Sequence, residues 1–208
     1  MNKVNVVFII FLFASASLFS QQNGTGAESG SFTDLRDNQT YKWLKVGSQI
    51  WMAQNLNFGT PKGSSIYNED TTLCKTFGRL YDWNTALKVC PSGWHLPLKA
   101  EWIVLTEYLG DQAGEKLKEL GTKHWNGPDA VVRGDSGFNA LPAGYLGWGP
   151  NGRPFYDGLG NYTYFWTASY GTPSNKGIAR YLSYLDEELL TFENWKIWGY
   201  SVRCVKDY

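Results

Sequence analysis

The chain has 208 residues, enough for one or two compact domains at roughly 100–200 residues each. Its 43% hydrophobic and 18% charged content is that of a globular protein rather than a disordered tail, and 19 Lys plus Arg against 19 Asp plus Glu gives no electrostatic pull toward nucleic acid or an anionic membrane. Two His and three Cys leave little from which to build a multi-ligand transition-metal site, whereas 10 Trp, 13 Tyr and 11 Phe exceed what a small core needs and point to aromatics at a contacting surface.

The N-terminus follows the plan of a secretory signal peptide: Lys3, an apolar run from Val6 to Phe13, small residues Ala14 to Ser17, then polar Ser20 and Gln21. A membrane span needs about 20 apolar residues, and this run breaks too soon. Cleavage is expected after Ser20, with Ala16 the second choice. Residues 1–20 are then a signal peptide and the mature chain, without a membrane span, is secreted, periplasmic or on the cell surface. Residues 21–31, QQNGTGAESGS, have no large apolar group and read as a flexible leader. The folded domain is expected over 32–208.

Within it, Tyr41–Val46 and Gln49–Met52 flank Gly47-Ser48, the pattern of a two-residue hairpin. A helix is expected from Gly78 to Cys90, with Leu80, Trp83, Leu87 and Cys90 on one stripe and Pro91-Ser92-Gly93 as its stop. A second follows Pro97, with Leu98, Trp102, Leu105 and Leu109 on one face and Gly110 at its end. A third covers Asp111 to Leu120. Beyond Gly121 the chain is broken often by Gly, Pro and Asn, and short strands are expected at Phe138–Leu141, Tyr164–Ala168, Ala179–Leu185 and Ser201–Val205. Gly147–Gly160 and Gly171–Gly177 read as long irregular loops. Two or three helices in the N-terminal half and short antiparallel strands with long loops in the C-terminal half make an α+β domain.

No string licenses catalysis. Gly134-Asp135-Ser136-Gly137 resembles the nucleophile segment of trypsin-like proteases, but Phe138 follows where those enzymes carry glycine, and a turn entering a strand explains it. His95, ahead of a helix, reads as a hydrogen-bonded structural residue, and His124 as exposed. The acidic groups at Asp34/Asp37, Glu69-Asp70 and Asp186-Glu187-Glu188 lack the alternation of a calcium loop and read as solvated charge. No phosphate loop or dinucleotide fingerprint is present, so neither a cofactor nor a metal is expected. Three cysteines in an exported chain allow one bridge and one thiol left over. Cys90 lies on the inward helical stripe and Cys204 shares a strand face with Val202, which favours Cys90–Cys204 over Cys74–Cys90 and leaves the fate of Cys74 open.

The strings Phe32–Asp37, Gln39–Lys42 and Val46–Leu56 resemble the opening of the Fibrobacter succinogenes major paralogous domain. So do Gly78-Arg79-Leu80-Tyr81-Asp82-Trp83, Cys90-Pro91-Ser92-Gly93-Trp94-His95-Leu96-Pro97 and Glu101-Trp102. The likeness continues through Gly137–Tyr145, Phe165–Ser169 and Ser201–Val205, and Leu98 departs from it where the family carries a capping Ser or Thr. That family is similar to the C-type-lectin-like fold shared with formylglycine-generating enzymes, and the resemblance implies that fold and again a bridge from the first helix to the last strand. It implies no activity. The paired C-terminal cysteines that bind copper in formylglycine-generating enzymes are reduced here to Cys204. The calcium-lectin strings find only Gly127-Pro128-Asp129 and Glu193-Asn194-Trp195.

The expectation is therefore an exported, non-enzymatic binding module that recognises glycans or surface proteins. Its candidate contacts are the aromatics of the later loops: Trp125, Tyr145, Trp148, Tyr156, Tyr162 and Trp195. Trp83, Trp94, Trp102 and Trp166 sit inside periodic elements and are assigned to the core. A structural or adhesin-like subunit acting by assembly is the alternative, and an oxidase related to formylglycine-generating enzymes a third.

Overall fold

The computed structural model describes residues 28–126 and 136–207. The expected signal peptide and both cleavage positions lie outside the described residues, as do Gly127–Asp129 and Gly134-Asp135.

The expected hairpin forms. Strand β2 (Thr40–Val46) turns at Gly47-Ser48 into β3 (Gln49–Met52), with Val46 opposite Gln49. Gly47 has φ +58°, and a Cβ there would press on the Tyr108 ring 2.8 Å away, so the turn demands glycine twice over. Strand β1 (Ser29–Thr33) pairs antiparallel with β2, from Ser29 opposite Leu44 to Thr33 opposite Thr40. Strand β1 thus takes in residues 29–31 of the segment expected as leader. Its Ser and Gly side chains bury little, and main-chain hydrogen bonds to β2 take the place of a hydrophobic anchor until Phe32 stacks on Trp94 at 4.6 Å.

The helices are shorter than their sequence patterns. Helix α1 (Thr71–Phe77), not foreseen, is capped by Asp70, whose carboxylate accepts from Thr72 N–H at 2.8 Å. The helix expected from Gly78 starts only at Trp83. Leu80-Tyr81 forms strand β5 against β4 (Ser64–Ser65), and Tyr81 also bridges Tyr200, which leaves Asp82 to cap α2 (Trp83–Val89). Strand β6 (Trp94–His95) leads into α3 (Lys99–Leu109), which buries Trp102 and Leu105 and ends at Gly110 as expected. Leu98 offers no side-chain acceptor to cap α3, and the Glu101 carboxylate instead accepts from Leu98 N–H at 2.8 Å. Helix α4 covers only Ala113–Leu117, because Lys118 leaves it to bridge Ala140; that bridge is all that exists of the strand expected at Phe138–Leu141.

Much of the segment expected as a loop at Gly147–Gly160 is an antiparallel hairpin. Strand β7 (Ala143–Trp148) pairs with β8 (Pro154–Leu159), and the Gly149–Arg153 turn closes it through Gly149 N–H to Arg153 O at 2.9 Å. Strands β9 (Tyr162–Tyr170) and β10 (Lys176–Ser183) extend the two expected there, and an unforeseen β11 (Leu190–Trp195) forms the edge. The order is β11-β10-β9-β7-β8. The expected strand Ser201–Val205 survives only as β12 (Val205–Lys206) in the first sheet, ordered β1-β2-β3-β12-β6. The residues just before it run as single bridges, Gly199 to Leu146, Tyr200 to Tyr81 and Ser201 to Phe165, and so tie the two sheets together.

The result is a mixed α/β domain with four α-helices among the described residues, all between Thr71 and Leu117, and strands in both halves rather than chiefly in the second. Cys90 and Cys204 are bridged across 114 positions, with Cys204 in a core that includes Met52, Trp83, Trp166 and Tyr200. A second core gathers Trp51, Trp102, Phe138 and Phe165. No helix among the described residues is long and apolar enough to cross a membrane.

Candidate functional site

The six candidate aromatics separate into different environments. Trp125 is 2% exposed, and its indole N–H donates to Ala140 O at 3.0 Å, with the Lys118 ammonium 5.3 Å from its ring. It is a core residue: its polar sequence neighbours hid a site formed by a segment 15 positions away. Tyr145 is half-buried, stacked on Trp198 at 5.4 Å, with its hydroxyl donating to Asp157 at 3.1 Å. Burial, and then the adjacent Asp157 charge, push that hydroxyl's pKa up to about 12, so it remains a donor at neutral pH. Tyr162 packs on Tyr181 and Tyr184. Tyr156 lies against Tyr67 at 5.3 Å and lines a separate hollow with Ser64 and Arg79.

Trp148 and Trp195 come together. They line an open cleft of about 630 Å³ where the ends of β7 and β11 meet the start of α2. Trp148 is 37% exposed and fixed by its indole N–H to Ile197 O at 3.0 Å, and Trp195 is 44% exposed with the Lys176 ammonium 5.3 Å from its ring. Leu80, Leu146 and Gly199 give the cleft an apolar base, and Ser65, Asp82, Asn84, Asn175 and Lys196 supply its polar groups. The base is held by main-chain bonds: Trp83 N–H to Lys196 O at 2.9 Å, Lys196 N–H to Asn175 O at 3.1 Å, and Gly199 paired both ways with Leu146. The Asp82 carboxylate accepts from Thr85 N–H at 2.7 Å. Gly63, at φ +79°, passes so close that a Cβ would collide with Thr85 Oγ1 and the Asp82 carboxylate.

Of the lining, sequence reasoning found the two tryptophans and missed Asp82, Asn84, Asn175 and Lys196. Asp82 carried a legible signal, as an aspartate directly ahead of a helical stripe. Asn84 follows it in the first turn of α2, and Asn175 and Lys196 are brought in by the bonding of Trp83 to Lys196 and of Tyr81 to Tyr200, more than a hundred positions apart.

The remaining candidate groups have structural partners. His95 Nδ1 lies 2.6 Å from Asp207 and Nε2 2.9 Å from Glu101. Burial opposes its charge, but the two carboxylates outweigh it and raise its pKa. His124 is not exposed as expected; it bonds Glu119 at 2.7 Å and meets the Phe77 ring edge-on. Asp34 is likewise buried rather than solvated, because Arg36 folds back on it with a 2.6 Å ion pair. Ser136 donates to Lys116 O and accepts from Phe138 N–H, as a turn residue would. Cys74 is a half-buried free thiol. The bridge at Cys204 consumes the thiol on which the oxidase expectation depends. Among the described residues no three or more of His, Cys, Asp and Glu converge as metal ligands.

The family profile of the Fibrobacter succinogenes major domain matches residues 44–206, most of the chain, which therefore belongs to that family. No curated protein matches the chain significantly, and no solved structure does.

Proposed function

With that membership as the premise, we propose that this protein is an exported, non-enzymatic binding module holding a saccharide in the cleft between Trp148 and Trp195. The observation that carries the proposal is the pairing of two half-exposed indoles in one cleft with amide and hydroxyl groups from Ser65, Asn84 and Asn175. A pyranose has an apolar C–H face and a rim of hydroxyls. An indole covers the first, and fixed amides hydrogen-bond the second. The volume, about 630 Å³, falls within the roughly 300–1,000 Å³ of small-molecule sites. Export is supported by the N-terminal pattern, and a disulfide fits an oxidising compartment. A C-type-lectin-like fold is part of the proposal, supported by the bridge from the end of α2 to the segment that enters β12.

The test is affinity electrophoresis of the mature protein in gels containing individual polysaccharides, repeated with Trp148→Ala and Trp195→Ala. Retardation by at least one polysaccharide, lost in both variants with little change in melting temperature, is expected. No retardation by any of them, or variants that melt as early as a core tryptophan substitution, overturns the proposal.

A specific surface favours a second reading, a structural or adhesin-like subunit. Phe155 and Phe192, 39% and 43% exposed, end a continuous run of ring contacts through Tyr145, Tyr164 and Tyr181. An aromatic run exposed at both ends suits assembly. Sedimentation velocity decides it: a defined oligomer abolished by Phe192→Ser supports assembly, and a monomer at high concentration rejects it.

A further inference from the structure

The hairpin that carries Trp148 also carries Tyr156 on the same side. Leu146 and Trp148 are alternate residues of β7, and directly opposite them on β8 stand Tyr156 and Pro154. Tyr156 is therefore the diagonal neighbour of Trp148, at a typical backbone separation of about 7–8 Å. One apolar cluster runs beneath both residues. Leu80 and Leu146, the base of the cleft, are buried with Tyr67, and the half-buried Tyr156 packs against that group. The pairing of β4 with β5 sets Ser65 opposite Leu80, and Ser65 lines both the cleft and the hollow beside Tyr156. The two hollows thus share a wall and a floor.

The second hollow repeats the chemistry of the first on a smaller scale. Tyr156 supplies a ring, Ser64 a hydroxyl, Arg79 a donor and Glu69 an acceptor. Arg79 is anchored by its Nε–H to Asn57 O at 3.3 Å, and among the described residues it forms no ion pair with Glu69. Sugar hydroxyls both donate and accept, so a guanidinium and a carboxylate beside an aromatic ring suit a saccharide as the amides of the cleft do. At about 290 Å³ the hollow lies just under the roughly 300–1,000 Å³ of small-molecule sites, which fits an extension of the cleft better than a site of its own. We infer that cleft and hollow form one elongated groove across β4 that takes a saccharide chain of several units, one unit held between Trp148 and Trp195 and a later one on Tyr156. This inference rests on the saccharide reading proposed above and adds to it the length of the ligand.

Isothermal titration of the mature protein with cello-, xylo-, manno- and chito-oligosaccharides of two to six units tests this directly. In at least one series the affinity is expected to rise about tenfold or more from the disaccharide to the hexasaccharide. Tyr156→Ala should remove that rise and leave the disaccharide affinity unchanged, whereas Trp148→Ala should weaken binding at every length. Equal affinity for disaccharide and hexasaccharide, or a rise kept in full by Tyr156→Ala, overturns the elongated groove and leaves the saccharide cleft standing. Binding of no series overturns the inference and the saccharide proposal together. Because Tyr156 also packs on Tyr67, a second measurement uses the unsubstituted chain. In protein labelled with 3-fluorotyrosine, the Tyr156 fluorine resonance, assigned with Tyr156→Phe, should move with the hexasaccharide and stay in place with the disaccharide. A Tyr156 resonance unmoved at hexasaccharide saturation overturns the inference even where Tyr156→Ala fails to fold.

Discussion

Among the described residues neither Arg203 nor Lys196, seven positions apart, has a carboxylate partner, and the molecule treats the two cations in opposite ways. Arg203 is fully buried, and its guanidinium donates to Asn55 Oδ1 at 2.6 Å, Phe138 O at 2.5 Å, Met52 O at 3.3 Å and Asn139 O at 3.4 Å, with the Phe138 ring 4.5 Å away. Burial lowers its pKa to about 9, which still leaves it charged at neutral pH. The Lys196 ammonium lies 4.0 Å from the Trp83 ring centroid and 4.5 Å from that of Tyr170. Each N–H of Arg203 is taken by a carbonyl oxygen, whereas the Lys196 ammonium lies against ring faces beside solvent. The tryptophans divide the same way. Trp83 and Trp166 are buried with their N–H groups on Thr167 O and Tyr81 O, both at 2.8 Å, whereas Trp148 and Trp195 keep more than a third of their surface. Residue type alone does not tell packing from recognition; the surface that each side chain keeps does.

Changes to the interior should cost stability and spare the cleft. The largest expected effect is from Cys90→Ser with Cys204→Ser. Opening a loop across 114 positions removes about 4–5 kcal/mol in the chain-entropy model, read as a lowered denaturant midpoint. Arg203→Met comes next, at about 3–4 kcal/mol, because four oxygens lose their buried donor at once. Trp166→Ala should cost about 3–4 kcal/mol and Trp148→Ala less than about 1.5 kcal/mol; equal costs would erase the division between core and rim.

The smallest effect concerns His95. Its folded-state pKa is raised, so its contribution is complete below the ordinary histidine value near 6.5 and is lost as pH climbs through the higher folded value. The difference in stability between the wild type and His95→Gln should therefore shrink as pH rises above about 6.5. Because about a third of the side chain is exposed, its size stays under about 1 kcal/mol. A difference that grows with pH would reverse the sign.

The parts of the fold that were legible in the sequence are those fixed by neighbouring residues. Gly47-Ser48 between alternating strands, and Pro97 and Gly110 around the α3 stripe, each state their structure within a dozen positions. Cys90 and Cys204 could be paired because each sat on an identifiable inward face. The β7–β8 hairpin was hidden by Gly, Pro and Asn that look like breakers but occupy its turn and its tightly packed strands. Edge strands β1 and β11 carry no buried stripe for a pattern to catch, since four of five and five of six residues respectively are exposed. Trp148 and Trp195 were recognisable as candidates one at a time. That they share a cleft, with Lys196 between core and solvent, depends on the pairing of Gly199 with Leu146 and of Trp195 with Lys176, which no local window contains.

The most direct measurement is fluorine NMR of the mature protein carrying 5-fluorotryptophan at its 10 tryptophans, assigned by single Trp→Phe variants and titrated with the oligosaccharide that binds. The expected result is that the Trp148 and Trp195 resonances move with ligand while those of Trp51, Trp83, Trp102, Trp125 and Trp166 stay in place. Movement confined to other tryptophans, with Trp148 and Trp195 unchanged at saturation, would contradict the assignment of the cleft as the binding site.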